Sequence, residues 1–193
     1  MRLVRLLLVG AVAVWTVALA GATPGWTAEK KKKPAAPAPA PAAAGKTRTL
    51  GTEGSWTAYE FQDMSGRVCY LVSPAQKSEP AGARRKPPSA MVTHRPEEKI
   101  ANVVSFVEGY ALKDGSEVSI DVGGAKFELF TKDGSAWARN AELDKTIVTA
   151  LIKGRSAVVK GTPQHGAPTT DTYSLSGFSR ALALIDKACG VKR

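Results

Sequence analysis

The stretch "EVSIDVGGAKFELF", residues 117–130, constrains the fold more than any other. Val118, Ile120 and Val122 alternate with Ser119 and Asp121, and Phe127 and Leu129 alternate with Lys126 and Glu128. A period of two puts one set of side chains on each face of a strand. Gly123-Gly124 lies between the two runs, and glycine accepts the positive φ that a tight hairpin turn requires. A chain with this segment contains an antiparallel sheet with one buried face. Asp133-Gly134 marks a second turn, and Ala136-Trp137-Ala138 continues the sheet.

Further strands are predicted at Trp56–Phe61, Val68–Ser73, Met91–His94, Val103–Tyr110, Ser156–Lys160 and Thr170–Leu175. These segments are rich in Val, Thr and aromatics and are bounded by Gly, Pro or Asp-Gly breaks. Two segments have the helical period instead. Asn140 caps "AELDKTIVTALIKG", with Leu143, Ile147 and Leu151 four apart and Gly154 as the stop. Ser176 caps "GFSRALALIDKACG", with Phe178, Ala181, Leu182 and Ile185 as one stripe and Gly190 as its end. The expectation for residues 49–193 is therefore a mainly β, α+β fold: an antiparallel, β-sandwich-like domain with two helices, the second at the C-terminus. A curled sheet fits the same pattern. Trp56 and Trp137 read as core aromatics.

The first 48 residues read differently. Arg2 and Arg5 precede an uncharged apolar run from Leu6 to Ala20, followed by the small residues of "ALAG" and "AGAT". This is the pattern of a secretory signal peptide over residues 1–22, cut after Ala20 or Ala22. The alternative is an uncleaved anchor, since Leu6–Ala28 carries no charge and is long enough to span a bilayer. Residues 23–48 hold "EKKKKPAAPAPAPAAAGKTR". Alternating prolines remove backbone donors and restrict their neighbours, so neither helix nor sheet propagates, and a polyproline-like spacer is expected.

The formal charge of +10 is uneven: residues 1–48 hold eight Lys/Arg and one acid, whereas residues 49–193 hold 19 Lys/Arg and 16 acids. The folded part is only mildly basic, which argues against nucleic acid as a partner. Membrane contact is expected only through an uncleaved leader or the basic spacer.

The chain has two cysteines, Cys69 and Cys189. In an exported protein they meet an oxidising environment, and the expectation is a disulfide joining the last helix to the sheet. Closing a loop of that length contributes roughly 4–5 kcal/mol in the chain-entropy picture, an upper figure. Free thiols are one alternative and zinc another. Cys69, His94, His165 and Cys189 have the composition of a zinc site but contain no close ligand pair.

No nucleophile elbow, HExxH, GxGxxG or phosphate loop is present, so no cofactor is implied. His94, in "THRPEEK", is a candidate base with Glu97 or Glu98 orienting it, but Pro96 favours a turn residue. His165, in "TPQHGAP", reads as a loop residue. The run Arg84-Arg85-Lys86, with Arg95 nearby, is the candidate anion or partner contact, read as an exposed polar loop.

Several elements together resemble the invasion-associated locus B family: "CYLVSPAQ", "HRP", "VSFVEGY", "TDTYSL-GF" and the terminal "IDKAC". The resemblance runs over roughly residues 54–190. It implies an exported, periplasmic or envelope-associated protein of alphaproteobacteria. The name-giving member, in a pathogen, is linked to entry into red blood cells. It implies no catalytic residues, so the expected role is binding to an envelope component or another protein, with an unrecognised hydrolase or redox helper as the alternative.

Overall fold

A computed structural model of the chain describes residues 46–82 and 84–193. The leader, and the spacer as far as residue 45, lie outside the described residues. The strands are β1 Arg48–Glu53, β2 Trp56–Asp63, β3 Gly66–Pro74, β4 Lys77–Glu79, β5 Ser89–Arg95, β6 Ile100–Val107, β7 Glu117–Val122, β8 Ala125–Lys132, β9 Ser135–Trp137, β10 Ser156–Gly161 and β11 Thr169–Ser174. The helices are α1 Ala141–Lys153 and α2 Phe178–Cys189. The structure thus has the mainly antiparallel β character with two helices that the sequence pattern predicts. It adds β1, whose first residue falls inside the expected spacer, and the short β4.

All eleven strands form one sheet in the order β1-β2-β3-β5-β6-β9-β8-β7-β10-β11-β4. Between a sandwich and a curled sheet, this is the curled form, and chain continuity shows why. β4 begins three residues after β3 ends, yet seven strands separate the two in the sheet. The sheet must curl until its far edge returns beside β3. Two backbone bonds stitch the return: the Ala75 N–H donates to Pro88 O (3.2 Å) and the Gln76 N–H to Thr172 O (2.8 Å). Across the interior, Trp56 Nε1 donates to Ser174 O at 2.8 Å.

The predicted hairpin is present in register, with Val122 opposite Ala125 and both turn glycines at positive φ. Its inward residues Val118, Ile120 and Leu129 join Leu71, Val92, Phe106, Val159 and Tyr173 in one core. α1 contributes Ile147, Val148 and Leu151, and α2 contributes Phe178, Ala181, Leu182 and Ile185. Phe178 meets Trp56 edge to face at 4.9 Å between centroids.

The Asn140 side chain accepts the Leu143 N–H, as the capping pattern predicts. Asp144, on the same helix, is buried and accepts the Val104 N–H at 2.8 Å, closing a β6 donor. Burial outweighs that bond and pushes its carboxyl up to about 6. The expected Ser176 cap is replaced by Gly177. At φ 87° Gly177 begins α2 without a side-chain cap, because the turn passes against the β1–β2 hairpin too closely for a Cβ.

Candidate functional site

Three places concentrate chemistry. The first is where α2 meets the sheet. Cys69 on β3 is bonded to Cys189 at the end of α2, with 6.1 Å between Cα atoms. Cys69 lies opposite His94 on β5. His94 is not the turn residue that Pro96 suggested: its strand continues through Arg95, and the ring is fully buried. The reason is a bulge in β6, where Asn102 at φ 67° turns its N–H out of the ladder and donates it to His94 Nδ1 at 3.0 Å. Nδ1 therefore accepts, and Nε2 donates to Asp186 Oδ1 on α2 at 2.9 Å. Both ring nitrogens are engaged, so His94 fastens a helix and has no nitrogen left for a base's work. Glu97 accepts the Arg67 N–H instead of orienting the ring. Arg193 completes the cluster with bonds to Asp186 Oδ2 (2.6 Å) and Asn102 Oδ1 (2.8 Å). Burial opposes the charge on Asp186, but the bonds from His94 and Arg193 outweigh it and hold the carboxyl below its usual range.

The second place is the opposite end of the sheet. Arg85 is not the exposed loop cation that its neighbours suggest: its side chain is only 4% exposed. It makes two bonds to Asp171 on β11, at 2.8 and 2.5 Å, and one to the Glu108 backbone carbonyl at 2.9 Å. Asp171 and Glu108 are both fully buried, and a guanidinium is the side chain suited to a buried carboxylate because its planar fork pairs with both oxygens. Glu108 lies 3.8 Å from Arg85 and accepts a bond from the Tyr110 hydroxyl at 3.2 Å; that hydroxyl also meets Thr169 Oγ1 at 2.6 Å. Glu108 Oε1 and the Tyr173 hydroxyl are buried without a hydrogen-bond partner among the described residues. Burial first, and the charge of Asp171 second, push the Glu108 carboxyl up to about 7. Gly161 must lack a side chain here, since a Cβ would stand 2.6 Å from the Tyr110 oxygen.

Arg84 and Lys86 remain exposed on the loop, so two of the three expected cations face solvent. Arg95 does not join them. It sits at the far end of β5, about 20 Å away at strand spacing, paired with Asp63 (2.8 Å) and Glu98 (3.1 Å). His165 is exposed in its loop, away from the disulfide. Both cysteine sulfurs are consumed by the disulfide, and the described residues hold no group of three or more His, Cys, Asp or Glu able to hold a metal.

The third place is the outer face of the sheet, which no reading of single strands reveals. Registers place Thr57, Val72, Met91, Ser105, Trp137 and Phe130 in one row across β2, β3, β5, β6, β9 and β8. A second row holds Tyr59, Tyr70, Thr93 and Val103. Tyr59 stacks on Tyr70 at 5.1 Å, and Phe61 meets Tyr70 edge-on at 6.0 Å. Trp137 thus lies on this face, half-buried, while its neighbour Ala136 enters the core. Both helices pack on the other side of the sheet: α2 through the Trp56–Phe178 and Cys69–Cys189 contacts, and α1 through Ile147, Val148 and Leu151, which join the core.

The family profile described as Invasion associated locus B (IalB) protein matches residues 56–186. The chain belongs to the invasion associated locus B family. The matched span takes in all of β2 through β11 and most of α2, with Cys69, His94, Arg85, Asp171 and the outer aromatic rows inside it. Among solved structures, this family member is similar to the crystal structure of invasion associated protein B from Bartonella henselae. The two share 19% identity and a TM-score of 0.53, over 73% of this chain and 97% of that one. At that identity the likeness concerns the fold. No curated protein matches the chain.

Proposed function

We propose that this member of the invasion associated locus B family is exported and acts in the bacterial envelope by binding, without catalysis. The observation that carries the reading is the Cys69–Cys189 disulfide. A bond of this kind persists in an oxidising compartment and is rare in a reducing one. It agrees with the signal-peptide pattern of residues 1–22. The one histidine with a carboxylate beside it has both nitrogens committed to structure, which supports binding over hydrolysis. The contact surfaces on offer are the outer aromatic face and the exposed pair Arg84 and Lys86. The partner is an envelope component or another protein, and the family's name makes host-cell invasion the process to examine.

The test uses protein recovered from cells. Mass spectrometry is expected to find a mature N-terminus at Gly21 or Thr23, and non-reducing peptide mapping a Cys69–Cys189 link. Envelope extract is then passed over the immobilised protein, its Tyr70→Ser variant and its Arg84→Ser/Lys86→Ser variant. At least one variant is expected to lose a captured component that the parent retains. A cytoplasmic protein with two alkylatable thiols would sink the proposal.

A further inference from the structure

Beside the buried cluster around Arg85 lies a cavity of about 330 Å³. Its lining runs from the buried Arg85 side chain and Thr169 to the exposed Arg84, His165 and Ala167. No acid is among the described residues that line it.

A guanidinium carries five N–H groups. Arg85 spends three: Nη1 and Nη2 each donate to Asp171, and Nη1 donates also to the Glu108 carbonyl. The Nε–H and the second Nη2–H remain, and these two lie side by side along one edge of the planar group. Neither has an acceptor among the described residues. Nor is Nε sealed in: the buried side-chain atoms without a partner there are Glu108 Oε1 and the Tyr173 hydroxyl. The cavity that Arg85 lines is the outlet for that edge.

We propose that this cavity binds a small organic carboxylate, its carboxyl group on the free edge of Arg85 and beside Arg84, its apolar body against Pro163, Ala167 and the Tyr110 ring. Two parallel N–H donors match the two oxygens of a carboxylate, which makes this edge selective for that group. The donors are fixed in advance, because Asp171 grips one end of the guanidinium and the Tyr110 ring lies against it at 5.4 Å. Little ordering is left for the ligand to bring about. Asp171 neutralises Arg85, so the net attraction comes from Arg84, which is exposed and has no acid partner among the described residues. The apolar walls favour an organic anion over an inorganic one. The volume is at the lower end of the roughly 300–1,000 Å³ of ligand pockets, which suits a small molecule. The inference goes beyond the envelope-binding role, since it uses neither the outer aromatic face nor a macromolecular partner.

The test titrates benzoate into the protein as recovered from cells and follows the His165 ring and the Ala167 and Thr169 methyl signals by NMR. Saturable shifts are expected at about millimolar concentration, as for any ligand of so few atoms. Benzamide has the same body without the charge, and its binding is expected to be at least about tenfold weaker. Inorganic phosphate has the charge without the body and is expected to bind more weakly than benzoate. The inference is overturned by the absence of saturable shifts, or by benzamide or phosphate binding as well as benzoate. Arg85→Ala would confound binding with folding, so two exposed positions are changed instead. Arg84→Ser is expected to weaken benzoate binding about two- to fivefold, the scale of one exposed charge pair. Ala167→Phe fills the cavity and is expected to abolish binding. Parental affinity in either variant overturns the inference. Envelope capture by the Tyr70→Ser variant reads the outer face and not this cavity, so the two readings fail separately.

Discussion

The two buried polar clusters use the same materials and reach opposite electrostatic outcomes. At the α2 end, Asp186 has His94 on one side and Arg193 on the other, and its carboxyl is held low. At the loop end, Arg85 is committed to Asp171, and the second acid, Glu108, is left with a Tyr110 hydroxyl and a share of the same guanidinium. Glu108 rises to about 7. The difference is one of stoichiometry. One acid with two donors stays ionised, whereas two buried acids around one cation cannot both ionise without cost. The first cluster behaves as a clasp on a helix. The second holds the 84–88 loop against β11 with charge to spare.

The largest way to break this comparison is Arg85→Ala. It strips the cation from two fully buried acids, and the unfolding free energy is expected to fall by about 3–5 kcal/mol, as is usual when one partner of a buried pair is removed. Urea unfolding near pH 8, where Glu108 is charged, gives the greatest loss. A loss below about 1 kcal/mol would mean that water already reaches the pair.

Next is Cys189→Ser, which opens the clasp. Its separation of 120 residues sets the upper figure of roughly 4–5 kcal/mol, and a loss of about 3 kcal/mol, typical of measured disulfides, is expected by thermal unfolding, with α2 becoming the first site of limited proteolysis. An unchanged digestion pattern would show that His94, Arg193 and the Phe178 stripe hold the helix unaided.

The smallest effect sharpens the comparison through pH. Glu108 has a folded value above its unfolded one, so the native state binds the proton more tightly. Stability then falls as pH rises from the ordinary carboxylate range through about 7. Asp144, at about 6, adds in the same direction. Asp186 has a lowered value, so its contribution is present above the ordinary carboxylate range and disappears on strong acidification. Stability measured from pH 3 to 8 is expected to pass through a maximum on the acid side of neutrality. Glu108→Gln should flatten the alkaline limb and leave the acid limb as it is.

Much of the architecture is local, and local signals are legible. The 118–129 hairpin, both helix stripes and the Asn140 cap each depend on residues within a few positions of one another. The clusters are not local. Arg85 meets Asp171 across 86 positions, and His94 meets Asp186 across 92. A basic run flanked by Gly82 and Pro87 has the composition of a solvated loop, and nothing beside it announces the acid that draws Arg85 inward. His94 escaped for a related reason: the β6 bulge that supplies its partner involves Asn102, beyond the Pro96 turn that made it look exposed. The outer aromatic rows need cross-strand register, which fixes which of Val72, Met91 and Trp137 become neighbours. Trp137 is the instructive case, since an aromatic on a strand is inward or outward by parity alone, and a one-residue change of register exchanges the two.

The curl that returns β4 to the neighbourhood of β3 also governs how the molecule behaves in a crowd. An open sheet of eleven strands would offer two long unpaired borders on which other chains could polymerise. Here one border is β4, three residues long, bearing Lys77 and Glu79 and stopped by Pro80, which has no N–H to donate. The other is β1, whose ladder slips between Thr49 and Gly51 and so presents no continuous template. Among the described residues, neither rim offers a long, regular template for a stranger's strand.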